Sequence, residues 1–157
     1  METAFSIHRN LPKEERYRTV VPLIAGLVEG EDDPVSMLAN VAAGLKEAFD
    51  FFWVGFYLAH GDGTLHLGPF QGPVACTRIG YGKGVCGTAW KEGRTLVVED
   101  VEQFPGHIAC SSLSRSEIVV PIGQRGVLDI DSEHLAHFDE VDQSYLEELC
   151  GLIVNKI

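Results

Sequence analysis

The chain has 157 residues and is acidic, with 12 Lys plus Arg against 23 Asp plus Glu and a formal charge of −11. The length suits one domain that buries its own core, and the charge argues against nucleic acid or an anionic membrane surface as a partner. The apolar fraction of 45% and the charged fraction of 22% are those of a folded globular chain and exclude a disordered one.

Two amphipathic helices are predicted before residue 50. The first follows Pro12 and covers residues 13–29, where apolar side chains recur at helical spacing and Pro22 is expected to kink or interrupt the helix. The second begins at Asp33-Pro34, an N-cap followed by a proline at the first helical position. The N-terminal residues lack the apolar core of a signal peptide, and no apolar run is long enough to span a membrane, so we expect a cytoplasmic protein without membrane association.

Short strands are predicted in the middle of the chain. The turn pair Asp62-Gly63 separates two of them and predicts a hairpin. The predicted strands are residues 51–58, 64–67, 75–79, 95–98, 117–122 and 127–131. Between them, the irregular stretch 99–116 is long for a compact domain, and loops of that length are usually functional.

A final helix is predicted over residues 139–157, because acidic residues crowd its first turn and apolar residues repeat at helical spacing. The order of elements predicts an α+β domain with a largely antiparallel sheet. Its parts are N-terminal helices over 1–50, the sheet and active-site loops over 51–132, and the C-terminal helix over 139–157.

The four cysteines are the first candidates for chemistry, because thiols in a reducing compartment are more often catalytic, redox-active or metal-binding than structural. Cys150 shares an apolar helix face and is interpreted as inert core. Cys76, Cys86 and Cys110 lie in the polar, glycine-rich middle of the chain. Simple burial remains the alternative interpretation of these three.

A metal centre and a dinucleotide site are both disfavoured. His107 and Cys110 lie three residues apart, but no CxxC pair of the kind used by structural zinc sites occurs. We therefore predict no metal. Residues 82–87 match GxGxxG, yet no buried strand precedes them and no βαβ unit surrounds them. These glycines instead favour a tight turn around Cys86 or a close approach to a ligand.

Acidic residues on two apolar strands form the second candidate group. Side chains alternate with period two, so Asp129 and Asp131 share one face while their apolar neighbours bury the other. If Glu117 of the preceding strand joins them, repulsion and desolvation should keep one carboxyl protonated near neutral pH. Such a cluster can hold an amine and donate a proton, and the thiol of Cys110, seven residues before Glu117, adds a nucleophile. The alternative is a solvated strand face.

Several long motifs together resemble the GAF-fold free methionine-(R)-sulfoxide reductases. They cover residues 53–57, 67–76, 82–89, 104–110, 114–122, 126–132 and 138–146. The resemblance implies a GAF domain: a six-stranded antiparallel sheet with helices packed on one side and a loop-roofed pocket on the other. It also implies an oxidoreductase of the oxidative-stress response that reduces free L-methionine-(R)-sulfoxide and is recycled by thioredoxin or another dithiol, without a bound cofactor. Homodimerisation, common in the family, would use the N-terminal helices.

The resemblance also assigns roles to individual residues. Cys110 matches the nucleophile that becomes a sulfenic acid, Cys76 the main resolving thiol that closes the disulfide, and Cys86 a second thiol of variable role. Glu117, Asp129 and Asp131 match carboxylates that bind the amine and protonate the sulfoxide oxygen. Trp53 and Tyr57 match the aromatic wall around the methyl group. The alternative function is a non-catalytic GAF sensor that binds a small molecule.

One departure from the family pattern is the tight turn of residues 122–125, where relatives commonly carry a longer hairpin. The turn lies at the far end of the strands from the acids. We therefore expect it to shorten a loop without moving Glu117 or Asp129.

Overall fold

The computed structural model describes residues 3–157, and this part of the chain folds as a sheet with helices on both of its faces. The helices are α1 (Lys13–Glu29), α2 (Pro34–Phe49), α3 (Gly84–Glu92) and α4 (Glu140–Ile153). The strands are β1 (Trp53–Ala59), β2 (Thr64–Gln71), β3 (Arg78–Gly80), β4 (Leu96–Val98), β5 (Ser116–Pro121) and β6 (Gly126–Ser132). Short 3-10 turns cover Ser6–His8 and Val101–Gln103.

The sheet of residues 3–157 has six strands in the order β3-β2-β1-β6-β5-β4, and every neighbouring pair is antiparallel. This confirms the predicted α+β class and six-stranded antiparallel sheet. β1 and β6 lie side by side at the centre although more than sixty residues separate them in sequence. The turn between β5 and β6 leaves their pairing unbroken from Pro121–Val127 to Ser116–Ser132, so the short hairpin does not disturb the strand register.

Three helices cover one face of the sheet. α2 packs on β1 and β2, α4 packs on β5, and α1 lies across α2 and α4. Apolar side chains from these helices and from one face of the strands form the larger core cluster. α1 continues through Pro22 to Glu29, so the predicted interruption does not occur. Burial of Tyr17, Val20 and Ile24 on either side of the proline offsets the hydrogen bond that it removes.

The sequence patterns did not predict α3 as a helix, and this helix lies on the opposite face of the sheet. Its Val85, Ala89 and Trp90 pack in a second apolar cluster with the other face of the strands. Gly87 allows this close approach, because a Cβ there would lie 2.3 Å from the carbonyl oxygen of Gly80. Gly84 starts the helix with φ of +61°, which a residue with a side chain adopts at a cost. The GxGxxG stretch therefore serves as the tight turn that was predicted around Cys86.

No helix within residues 3–157 combines the length and the apolarity that a bilayer crossing requires.

A buried carboxylate joins α1 to α4. Asp142 is 1% exposed, accepts hydrogen bonds from Tyr17 Oη at 2.6 Å and Lys13 Nζ at 2.7 Å, and completes a capping box with Asp139 at the start of α4. Because this carboxylate is removed from water, its oxygens depend on these donors.

We expect Tyr17→Phe to destabilise the protein by about 1–3 kcal/mol, because it leaves a buried carboxylate oxygen without its hydroxyl donor. Tyr145→Phe is the matched control. Tyr145 stacks on Tyr17 at 5.3 Å, but its hydroxyl reaches only the exposed Glu14 carboxylate, at 3.5 Å. The control should cost less than about 0.5 kcal/mol. Urea unfolding measures both changes, and equal midpoints for the two variants would contradict the assignment.

Candidate active site

The face of the sheet that carries α3 also carries three acidic side chains at neighbouring positions. Glu117 of β5 pairs with Asp131 of β6, and Asp129 lies two residues earlier on β6, opposite Val119. Glu117 and Asp129 are each 5% exposed, and Asp131 is partly exposed. The strand alternation that predicted a shared face is therefore present. The alternative of a solvated strand face is excluded for Glu117 and Asp129.

No arginine or lysine of residues 3–157 forms an ion pair with this acidic cluster of Glu117, Asp129 and Asp131. Burial raises the pKa of each of the three carboxyls well above its usual value, and the negative charge of a neighbouring acid raises it further. The cluster thus holds protons more tightly than exposed acids do.

His107 is the basic side chain that the structure brings next to the acids. Its Nε2 lies 3.9 Å from Glu117 Oε1. Desolvation lowers the pKa of His107, which favours the neutral imidazole. Arg115, the other basic residue near Cys110 in sequence, is exposed, and its side chain makes no ion pair with the cluster. His107 therefore supplies a hydrogen-bonding group beside the acids rather than a fixed positive charge.

A disulfide joins two of the candidate cysteines. Cys110, on the exposed loop before β5, is bonded to Cys76, which precedes β3, with Cα atoms 5.5 Å apart. Cys110 lines the same pocket as the acidic cluster. Within residues 3–157 the free thiols are Cys86 and Cys150, both buried. One half of the disulfide, Cys110, is thus part of the pocket wall, whereas the two free thiols are buried.

Cys86 lies against the acidic cluster, near the start of α3. Its Sγ is 3.9 Å from Glu117 Oε2. Burial and the charges of the three acids raise the pKa of the Cys86 thiol well above its usual value. The donor atoms of Cys86, Glu117 and Asp129 all lie within 4.8 Å of one another, so these residues are the ones placed to hold a cation.

Aromatic side chains form the wall next to the acids. Trp53 and Tyr57 stack with ring centroids 5.9 Å apart, and Phe70 also stacks on Trp53, at 5.2 Å. Gly55 lies between them on β1, and a Cβ at this position would lie 2.8 Å from the Trp53 ring. The absence of a side chain at Gly55 therefore lets the indole lie along the strand.

The same two aromatic residues fasten the segment that carries Cys76. Trp53 Nε1 donates to the carbonyl oxygen of Pro73 at 3.0 Å, and Tyr57 Oη donates to the carbonyl oxygen of Cys76 at 3.0 Å. The position of the half-cystine is thus set by side chains on the central strand β1.

One pocket brings together seven of the eight candidate residues from the sequence: Trp53, Tyr57, Cys86, Cys110, Glu117, Asp129 and Asp131. Cys76 is not one of the residues that line this pocket, but it is bonded to Cys110. Sequence reasoning missed Lys83 and Ser114, which also line the pocket. Ser114 Oγ donates to Asp131 Oδ1 at 3.4 Å. The position of Ser114, three residues before Glu117, could have indicated that it lies near the acids. For Lys83 the sequence offered only its position between two glycines.

Comparison with known proteins identifies the family of this fold. Residues 31–157 match the family model of a GAF domain. The chain is 57% identical over 147 residues to "GAF domain-containing protein A" of Dictyostelium discoideum, covering 91% of this chain and 93% of that protein. It is 44% identical to the free methionine-R-sulfoxide reductase of Saccharomyces cerevisiae, covering 92% and 87% of the two chains.

A solved structure resembles the whole arrangement. The crystal structure of free methionine-R-sulfoxide reductase from Neisseria meningitidis, in complex with its substrate, superposes with a TM-score of 0.90 at 57% identity. The match covers 92% of this chain and 90% of that one.

Proposed function

Because the chain belongs to the GAF-domain family that includes the free methionine-(R)-sulfoxide reductases, we propose that it reduces free methionine-(R)-sulfoxide to methionine in the cytoplasm, with thioredoxin as its reductant. One observation carries this proposal. The Cys76–Cys110 disulfide lies at a pocket lined by an acidic cluster that has no lysine or arginine ion-pair partner within residues 3–157. An oxidised thiol pair therefore lies beside carboxyl groups that are free to bind a cationic ligand.

The acidic cluster supports recognition of the substrate's ammonium group. Buried carboxylates without a basic partner gain most from a cation that enters with the ligand, because the pocket shields the pair from water. The aromatic wall of Trp53 and Tyr57 suits the methyl and sulfur end of the substrate, since sulfur makes favourable contacts with aromatic rings. Together they favour a small amine with a thioether-like tail.

The start of α3 supports recognition of a free carboxylate. Lys83 and the first residues of α3 line the same pocket as the acids. A helix N-terminus presents unpaired backbone N–H groups and favours a negative charge. In a peptide, both the ammonium and the carboxylate of the residue are replaced by amides. Restriction to the free amino acid follows if both ends are bound.

The proposed chemical step joins the loop thiol to the strand acids. Cys110 Sγ attacks the sulfoxide sulfur while a carboxyl of the cluster protonates the oxygen, since an unprotonated oxygen is a poor leaving group. The oxygen passes to Cys110 as a sulfenic acid and methionine is released. Cys76 then attacks the sulfenic sulfur, water leaves and the disulfide forms. An external dithiol reduces this disulfide and is itself oxidised.

A protein reductant is supported by the surface around the disulfide. Three of the large apolar side chains exposed on residues 3–157, Val74, Ile108 and Leu113, lie within three residues of Cys76 or Cys110. Exposed apolar groups gathered in this way mark interaction sites. Thioredoxin must bring its own thiolate to a disulfide sulfur, so an apolar rim there suits it.

Thioredoxin-coupled NADPH oxidation with purified protein tests the proposed function. We expect turnover with free methionine-(R)-sulfoxide, and none with its S epimer or with a peptide-bound sulfoxide. Turnover of all three would contradict the recognition of both ends of the substrate. No turnover by folded, reduced protein would contradict the enzyme and favour a ligand-binding GAF sensor.

Cysteine variants separate the proposed roles. Cys110→Ser should abolish methionine formation because it removes the nucleophile. Cys76→Ser should yield one methionine per chain in the absence of reductant and then recycle poorly. Cys150→Ser is the control, since Cys150 lies on α4 and is buried in the apolar core. Methionine yield per chain measures each, and equal loss in Cys110→Ser and Cys150→Ser would overturn the assignment.

A charge among the exposed apolar side chains beside the disulfide (Val74, Ile108 and Leu113) should weaken reduction by thioredoxin alone. Leu113 is 57% exposed, so we expect Leu113→Glu to raise the KM for thioredoxin about tenfold while turnover driven by dithiothreitol stays unchanged. Val35→Glu, at an exposed apolar position on α2, is the control and should change neither. An unchanged KM for thioredoxin in Leu113→Glu would contradict docking at this rim.

A further inference from the structure

The pocket holds a set of donor atoms that differs from the one the sequence offered. The sequence drew attention to His107 with Cys110, whereas the structure groups Cys86, Glu117 and Asp129, whose sulfur and oxygen atoms all lie within 4.8 Å of one another. Each of the three residues is at least nine-tenths buried. They come from three separate elements, α3, β5 and β6, so their grouping follows from the tertiary fold and could not be read from local spacing.

A second, independent observation concerns one oxygen of this group. Asp129 Oδ1 is inaccessible to solvent and has no hydrogen-bond partner among residues 3–157. A buried polar atom without a partner is costly, and native proteins satisfy nearly all of them. Asp129 lines the pocket together with Cys86 and Glu117. One of the three grouped residues thus carries a buried acceptor oxygen without a partner.

The chemistry of the donors selects a class of cation. A thiolate and two carboxylates, with the neutral imidazole of His107 at 3.9 Å from Glu117, are ligands that Zn²⁺ uses in proteins. Mg²⁺ and Ca²⁺ prefer all-oxygen sites. Bonds of about 2.0–2.3 Å place tetrahedral ligands roughly 3.3–3.8 Å apart. The Cys86 Sγ to Glu117 Oε2 distance is 3.9 Å and no two donor atoms are more than 4.8 Å apart, so side-chain rotations that bring them closer by about 1.5 Å or less suffice.

We propose that Cys86, Glu117 and Asp129 bind one zinc-type divalent cation in this pocket, and that the bound ion excludes the ammonium group of the substrate. The site needs neither Cys76 nor Cys110, so the disulfide form binds the ion as well. Because two of the ligands are also the carboxylates assigned to the amine, cation and substrate compete. This competition rests on the proposed function, whereas the metal site itself does not.

Titration of the disulfide form with Co²⁺ tests the site, since a thiolate ligand to Co²⁺ gives an ultraviolet charge-transfer band. We expect one Co²⁺ per chain with this band, displaced by Zn²⁺ but not by excess Mg²⁺. Cys86→Ser should abolish the band and weaken Zn²⁺ binding at least about 100-fold, because loss of even an outer-shell partner costs 10–100-fold in affinity. Cys150→Ser, which changes an equally buried thiol, should bind like the wild type.

Each outcome decides the proposal. A band that persists in Cys86→Ser, or full displacement by Mg²⁺, would overturn it, as would the absence of a band in folded wild-type protein. Thermal unfolding of the Cys86→Ser variant shows whether its fold is retained. If this variant does not fold, Cys86→Asp keeps a ligand in place, and it should bind Zn²⁺ while giving no charge-transfer band.

Competition is measured separately in a single turnover of reduced, desalted enzyme. Zn²⁺ should raise the half-saturating concentration of methionine-(R)-sulfoxide and leave the limiting rate unchanged. EDTA should reverse the effect. A lower limiting rate with unchanged half-saturation would contradict competition. If the metal-free enzyme reduces no sulfoxide, the proposed function fails while the Co²⁺ titration still decides the metal site.

Discussion

The structure depends on one electrostatic constraint. Three carboxyl groups and a thiol lie together beside β5 and β6, and the thiol and the carboxyls of Glu117 and Asp129 are buried. No lysine or arginine of residues 3–157 forms an ion pair with them. An isolated buried carboxylate is so unfavourable that the group must take up a proton or find a cation. The raised pKa values of Glu117, Asp129 and Asp131 favour the uptake of a proton. A ligand with a positive charge would serve as the cation.

This unfavourable face is tolerated because the other face of the same strands is an apolar core. Ile118, Leu128 and Ile130 alternate with the acids and are fully buried under α2 and α4. The apolar surface that they remove from water stabilises the sheet. Antiparallel pairing then fixes the spacing of the acids through the backbone. Groups held by strands keep a more exact geometry than groups on loops, which suits a binding site for a small charged molecule.

The sequence predicted those features that follow from a repeat of apolar residues within one element. It did not predict those that depend on packing between residues far apart in the chain. Alternation on β6 predicted that Asp129 and Asp131 share a face, and helical spacing predicted α1, α2 and α4. α3 was missed because its nine residues include two glycines, which are poor helix formers. The need for Gly87 becomes clear only in the structure, where it packs against the backbone of Gly80. Cys76 and Cys110 are 34 residues apart, so no local pattern indicated their pairing, and the resemblance to a family did.

The positions of the cysteines divide their chemistry. Burial and the neighbouring acids raise the pKa of the Cys86 thiol, so its thiolate is disfavoured and Cys86 is a poor nucleophile. A bound cation would favour the thiolate. Cys110 lies on an exposed loop beside the same acids and is already bonded to Cys76. In the proposed reaction, Cys110 meets first the substrate and then a protein reductant, so it has to reach both the pocket and the surface. In that reaction its loop position provides the access, and the acids on the strands provide the fixed proton donor.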